Sequence, residues 1–211
     1  MQIELEDYLF FASQEKGKVA ETAPLLHNYA LAYALGWSTS PYYHEEQKPA
    51  YAEQLCPLNE AGLYIFPASP LKVSHCLMQY NTTSEAFLMI REQSTGFPNW
   101  GYIKCIRPES RFETYVLSHH PISFSKRIRL GKWMSLARLE VQEAALERST
   151  GSRCDHLVNV QDLSLLPTYF TSLYNVLPTR LVKGAEWEEA IQGYRVGDLF
   201  FPEASFWRGK K

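Results

Sequence analysis

Ile122-Ser123-Phe124-Ser125-Lys126-Arg127-Ile128-Arg129-Leu130-Gly131-Lys132-Trp133-Met134-Ser135-Leu136-Ala137-Arg138-Leu139-Glu140-Val141 alternates apolar and polar side chains up to Leu130 and resumes the alternation from Ala137. A period of two is the signature of a strand with one buried and one solvated face. Gly131-Lys132 between the two halves predicts a tight turn, hence a hairpin whose returning strand fades near Glu143. Lys126, Arg127, Arg129, Lys132 and Arg138 put five cations into thirteen positions. Guanidinium groups at that density beside Trp133 suit phosphate and base contacts. A solvated edge strand guarded by charge is the competing reading.

Outside this stretch the chain is acidic. Residues 1–100 hold 5 Lys/Arg against 11 Asp/Glu, residues 101–139 hold 8 against 2, and residues 140–211 hold 8 against 10, for a net charge of −2. The pattern implies one basic face on a protein that is not basic overall. With 211 residues, 45% hydrophobic and 14% aromatic, the chain can bury a real core. Cys56, Cys76, Cys105 and Cys154 show no metal-binding spacing and are expected as reduced thiols. No secretory signal or membrane-length apolar run is evident, so a cytoplasmic chain is expected.

Working outward, residues 2–12 predict a strand and Ser13–Glu21 a loop. Thr22 is expected to cap a helix with Pro24 in its first turn, ending at Gly36. Residues 38–60 predict loop with a short helix near Ala50–Leu55. Strands are expected at Leu63–Pro67, Val73–Tyr80 and Ala86–Arg91, with a turn at Asn81–Ser84. Trp100–Arg107 and Arg111–Ser118 are expected to pair. Arg148–Arg153 is expected as a mobile loop, Leu157–Val160 as a strand, Leu165–Leu177 and Glu186–Gln192 as helices, and Tyr194–Pro202 as the last strand before a frayed terminus. About eight strands and three helices without regular alternation predict an α+β protein with a largely antiparallel sheet.

Chemistry-bearing motifs are few. His119-His120 beside the basic segment has the residue type for acid/base work, though a turn with two exposed imidazoles accounts for it as well. His27, with Asn28 and Tyr29 on the first predicted helix, is a candidate contact. Lys183-Gly184 is a weak phosphate-binding candidate. No phosphate loop, nucleophile elbow or metal spacing occurs, so neither cofactor nor metal is expected.

Three blocks together carry a resemblance: Leu26-His27-Asn28-Tyr29-Ala30-Leu31-Ala32-Tyr33-Ala34-Leu35-Gly36, Gly62-Leu63-Tyr64-Ile65-Phe66-Pro67-Ala68, and Ile128-Arg129-Leu130-Gly131-Lys132-Trp133-Met134-Ser135. In order and spacing the chain resembles the Cas-five-type subunits of type I-D CRISPR interference complexes, the Csc family. That resemblance implies a single ferredoxin-like (RRM-type, RAMP superfamily) domain over 1–211, with a β-hairpin thumb, a basic hairpin segment at about 119–143 and a β-rich C-terminal extension at about 154–211. It implies a non-catalytic subunit that binds the 5′ handle of the CRISPR RNA, caps the backbone filament and contacts the large Cas-ten-type subunit near the target-entry site. Contact with target DNA near the protospacer-adjacent motif is left open. The RNA-binding set expected is Lys126, Arg127, Arg129, Lys132, Trp133, Arg138, His27, Asn28, Tyr29 and Lys183. If five cations each neutralise one phosphate of single-stranded RNA, log K should fall with log salt at a slope of about −3.5. Related subunits of type I-C systems cut precursor RNA without metal. A metal-independent endoribonuclease and a protein-only assembly module are therefore the alternatives.

Overall fold

The computed structural model describes residues 1–16, 19–38, 40, 49–82 and 99–208. The strand expected at Ala86–Arg91, Thr83 and Ser84 of the expected turn, residues 39 and 41–48 of the expected 38–60 loop, and the frayed end at 209–211 lie outside the described residues.

The predicted hairpin is present. Strand β10 (Arg127–Leu130) turns at Gly131 into β11 (Ser135–Glu140), with Arg127 opposite Arg138 and Leu130 opposite Ser135. Ile128, Leu130, Ala137 and Leu139 point inward, whereas Arg127, Arg129 and Arg138 point out. Gly131 has φ +72°, and a Cβ there would stand 2.6 Å from the Phe10 carbonyl oxygen, so both backbone and space call for glycine. The hairpin edges a five-stranded antiparallel sheet. Next to β11 comes β1 (Gln2–Leu5), then β8 (Arg111–Glu113) and β5 (Ser69–Lys72). Ile3 and Leu5 face the core from the middle of this sheet, while Glu4 faces solvent between two neighbouring strands.

A second sheet is built on one 16-residue strand, β15 (Leu181–Val196). Strands β13 (Val158–Asn159) and β14 (Tyr169–Tyr174) flank its residues 181–182, while β12 (Glu147–Cys154) and β16 (Leu199–Pro202) flank 193–195. Three expectations fail here. Arg148–Arg153 is not a mobile loop but most of β12. Leu165–Leu177 is not a helix: its centre is β14, in keeping with the β-favouring run Tyr-Phe-Thr-Ser-Leu-Tyr. Glu186–Gln192 is not a helix despite good helix formers, because it runs inside β15 with Trp187 buried and β12 paired alongside. Glu186 pairs on both sides, with Arg153 and Tyr169, and Ile191 and Gln192 pair with β12, so both ends of the segment are held extended against a weak local propensity.

The segment expected as the Ser13–Glu21 loop contains β2 (Gln14–Lys16) and β3 (Val19–Glu21). The pairing expected between Trp100–Arg107 and Arg111–Ser118 is also corrected. Strand β7 (Asn99–Ile106) pairs antiparallel with β6 (His75–Thr82) and parallel with β3, whereas β8 joins β1, and β9 (Val116–Ser118) joins β4 (Leu63–Ile65). Asn81 and Thr82, expected in a turn, continue β6 opposite Trp100 and Asn99.

Helix α1 spans Asn28–Ala34 and starts later than expected. The Thr22 hydroxyl accepts from the Phe11 amide and donates to the Phe11 carbonyl, both at 3.0 Å, so it cannot cap. Leu26 meanwhile bridges Ala68 in extended form. His27 is the N-cap instead, its Nδ1 accepting from the Tyr29 amide at 3.2 Å. Gly36 follows the helix at φ +74°, as expected. Helix α2 (Tyr51–Glu60) is longer than the turn expected near Ala50–Leu55. Both helices, both large sheets and the end of the chain share one core, with Tyr29, Phe66, Phe112, Phe201 and Phe206 among its largest members. The arrangement is α+β and mostly β. Among the described residues no helix is long and apolar enough to cross a membrane.

Two buried imidazoles give the fold a pH signature. His156 Nε2 lies 2.9 Å from the Pro67 carbonyl oxygen, and His27 Nε2 lies 2.9 Å from Thr179 Oγ1. Burial lowers both from 6.5 to about 4. Folded protein thus binds fewer protons here, and this stabilisation is complete above pH 6.5 and lost as the pH falls toward 4. Asp162 works in the opposite sense. Burial raises it from 3.8 to about 6, so its contribution is complete below pH 3.8 and lost by about 6. Two imidazoles outweigh one carboxylate, and the urea midpoint is expected to fall between pH 6.5 and 4.5. A midpoint that is flat or rising toward acid would contradict this assignment.

Candidate nucleic-acid interface

The hairpin cations divide into two groups. Arg127 grips Glu6 through two nitrogens, with Nε 2.8 Å and Nη2 3.0 Å from its carboxylate oxygens. Arg138 Nη2 donates to Glu4 Oε2 at 2.7 Å, and Arg111 Nη2 reaches the other oxygen of the same carboxylate at 3.5 Å. These hydrogen bonds hold the Glu4 and Glu6 carboxyls below the usual range. Arg138 is therefore partly neutralised by Glu4 of β1, and Arg127 by Glu6 just past the end of that strand. Among the described residues no carboxylate lies within ion-pair distance of Lys126, Arg129 or Lys132. Arg129 Nη1 donates to the Met134 carbonyl at 2.9 Å, leaving a charged fork at the exposed tip.

The tip does not project freely. The Lys132 amide donates to the Phe10 carbonyl at 2.9 Å, and the Trp133 ring packs 5.2 Å from the Phe10 ring while 43% exposed. Anchoring of this kind lowers the entropy lost when a ligand stacks on the ring.

Beside the tip lies a cleft of about 320 Å³ with buried His27 and Tyr29 at its floor, and its accessible lining includes Phe11, Tyr33, Tyr51, Leu177 and Lys132 together with Ser13 and Ser40. The fold thus brings Lys132 together with two α1 residues singled out in the sequence, 103 and more positions away. Tyr33 donates its hydroxyl to the Gln54 side-chain oxygen, and Tyr33 and Tyr51 have ring centroids 6.4 Å apart.

Asn28 and Tyr29 are corrected as surface contacts. They are 0% and 1% exposed, and their polar groups serve an internal hub. Asp162 Oδ1 accepts the Tyr29 hydroxyl at 2.5 Å and the Trp207 amide at 3.0 Å. Its Oδ2 accepts Asn28 Nδ2 at 2.7 Å and the Tyr64 hydroxyl at 2.8 Å. Asn28 Oδ1 in turn accepts Asn159 Nδ2 at 3.0 Å. Burial raises the Asp162 carboxyl, while the donors from Tyr29, Asn28, Tyr64 and Trp207 pull it back, so it is ionised at neutral pH. His27 is 8% exposed and contributes only to the cleft floor.

Lys183 stands exposed on β15, opposite Ser172 on the second sheet, and does not join the hairpin tip. His119 and His120 follow β9 and are exposed. His119 lies against Gly62 at the edge of a groove of about 190 Å³ that also touches Tyr194, Glu203 and Arg208. Among the described residues no three His, Cys, Asp or Glu side chains gather as metal ligands.

Asp162, Tyr33, Tyr51 and Phe11 were missed by sequence reasoning. Only Asp162 carried a usable signal, as the one charged residue in the stretch Leu157-Val158-Asn159-Val160-Gln161-Asp162-Leu163.

No curated protein matches the chain. The family model described as type I-D CRISPR-associated protein Cas5/Csc1 matches residues 1–208.

Proposed function

Since the chain belongs to the type I-D CRISPR-associated Cas5/Csc1 family, we propose that it is the non-catalytic subunit that holds the 5′ handle of the CRISPR RNA. In this role it caps the backbone filament and meets the large subunit near the target-entry site, in the cytoplasm. The match over residues 1–208 is the observation that carries the reading. The exposed tip supports it: Lys126, Arg129 and Lys132 offer phosphate contacts, and Trp133 offers a stacking face. The acidic remainder suits protein faces. Guide pairing would then supply sequence specificity while this subunit reads backbone and handle shape.

Within this proposal, the ferredoxin-like core belongs to the five-stranded sheet with α1 and α2. The thumb is the β6–β7 ladder, which runs for eight residue pairs from His75–Ile106 to Thr82–Asn99. The anchored basic hairpin is too firmly docked for that part. The second sheet is the C-terminal extension.

The test is purification of the assembled complex through a tag on this chain, with sequencing of the bound RNA. One short RNA species sharing a common 5′ end is expected. The same preparation, incubated with precursor RNA in EDTA, is expected to give no product. Specific cleavage would favour the endoribonuclease, and a complex that forms equally after RNase treatment without RNA would favour the protein-only module.

A further inference from the structure

We propose that the cleft between α1, α2 and the hairpin tip receives one unpaired nucleobase of the bound RNA, stacked on the Tyr33–Tyr51 side with its phosphate toward Lys132. The inference rests on the RNA-holding reading above and adds a site to it. At about 320 Å³ the cleft sits near the lower end of the range for small-ligand sites, about 300–1,000 Å³. It has room for one base but little more. Its lining is mainly rings and apolar side chains, which suit a flat π-surface, with Ser13 and Ser40 among its polar members. Among the described residues one cation lines it, Lys132, whose amide is tied to Phe10 and which has no ion-paired carboxylate among them. A largely apolar slot with the Lys132 ammonium at its rim matches a base followed by its phosphate. A wholly apolar occupant would leave the cation unused.

Two properties make the slot preformed. The Tyr33 hydroxyl is held by Gln54, and Tyr51 packs between Tyr29 at 5.2 Å and Trp207 at 5.4 Å, so neither ring must be ordered on binding. The floor is closed as well, since Tyr29 is committed to Asp162 and His27 to Thr179. Recognition thus falls to the walls and rim, giving stacking and charge rather than a dense set of base-edge hydrogen bonds. Preference among bases is accordingly expected to be weak.

The experiment is chemical probing of the guide RNA inside the purified complex, with base-modifying reagents that together cover all four bases. Reactivity is normalised to the RNA present. One handle nucleotide should be shielded in the wild-type complex. Ala30→Leu fills the cleft with a good helix former, and Leu177→Asp places an anion at its mouth, where Leu177 is 76% exposed. Each variant should raise that nucleotide's reactivity by about tenfold, the fold-change of one lost base–aromatic stack. RNA present with the same reactivity profile in wild type and both variants overturns the base site and leaves the RNA-holding function intact. RNA absent from the wild-type complex overturns both.

Discussion

Asp162→Leu is expected to leave the chain without a cooperative unfolding transition at neutral pH, or to express it only as aggregate. The substitution strands three donors, from Tyr29, Tyr64 and the Trp207 amide, and leaves Asn28 Nδ2 only its longer bond to the Tyr64 hydroxyl, at 3.2 Å, in a site where Asp162 is 0% exposed. Each unsatisfied buried donor costs about 1–3 kcal/mol, against a total stability of about 5–15 kcal/mol for a domain. The same carboxylate joins α1, β4 and the segment around Trp207, so its loss reaches three distant parts of the chain. Asp162→Asn keeps the shape and one acceptor but turns an amide toward Asn28 or Tyr64. It should cost less, about 1–3 kcal/mol. Tyr64→Phe removes a single donor and should fall below both. Urea denaturation followed by near-ultraviolet circular dichroism checks the order. A leucine variant within about 1 kcal/mol of wild type would show that the hub does not hold the fold.

The triple variant Lys126→Ala, Arg129→Ala, Lys132→Ala is expected to have the largest effect on RNA binding. If each cation neutralises one phosphate of a single strand, the slope of log K against log salt should become less negative by about 2. The double variant Arg127→Ala, Arg138→Ala removes two formal charges where the triple variant removes three. It should shift the slope by less than about 1, because both residues already meet carboxylates, Glu6 and Glu4, at 2.8 and 2.7 Å. Binding isotherms of a single-stranded RNA at several salt concentrations separate the two. Equal slopes for the two variants would mean that the ion pairs open on binding and that the division of the hairpin into free and tied cations is wrong. Of the five hairpin cations, Arg127 and Arg138 are ion-paired, whereas Lys126, Arg129 and Lys132 have no carboxylate partner among the described residues.

The hairpin was legible because everything that builds it is local. Ile128, Leu130, Ala137 and Leu139 repeat at a period of two, and Gly131 stands where a positive φ is needed. Gly36 ended α1 for the same kind of reason. The start of α1 was not legible, since the Thr22 hydroxyl had two apparent roles and Phe11, eleven residues upstream, claimed it. Glu186–Gln192 offered a plausible helical composition, and only the neighbouring strands β12 and β14 made it extended. In the site, Lys132 and Trp133 could be named from the basic run, but the Tyr33–Tyr51 wall could not, because nothing in either segment points to the other.

The sequence by itself determined the hairpin, its cationic face, the mixed α+β class and the family resemblance, all of which depend on residue order over short windows. Tertiary structure alone decided which hairpin cations meet carboxylates and which side chains line the cleft beside the tip. Glu4 and Glu6 lie 134 and 121 positions from the arginines they bind, and Asp162 lies 133 from Tyr29. Charge pairing and burial depend on distance in space, and strand order sets that distance through ladders that no local pattern encodes.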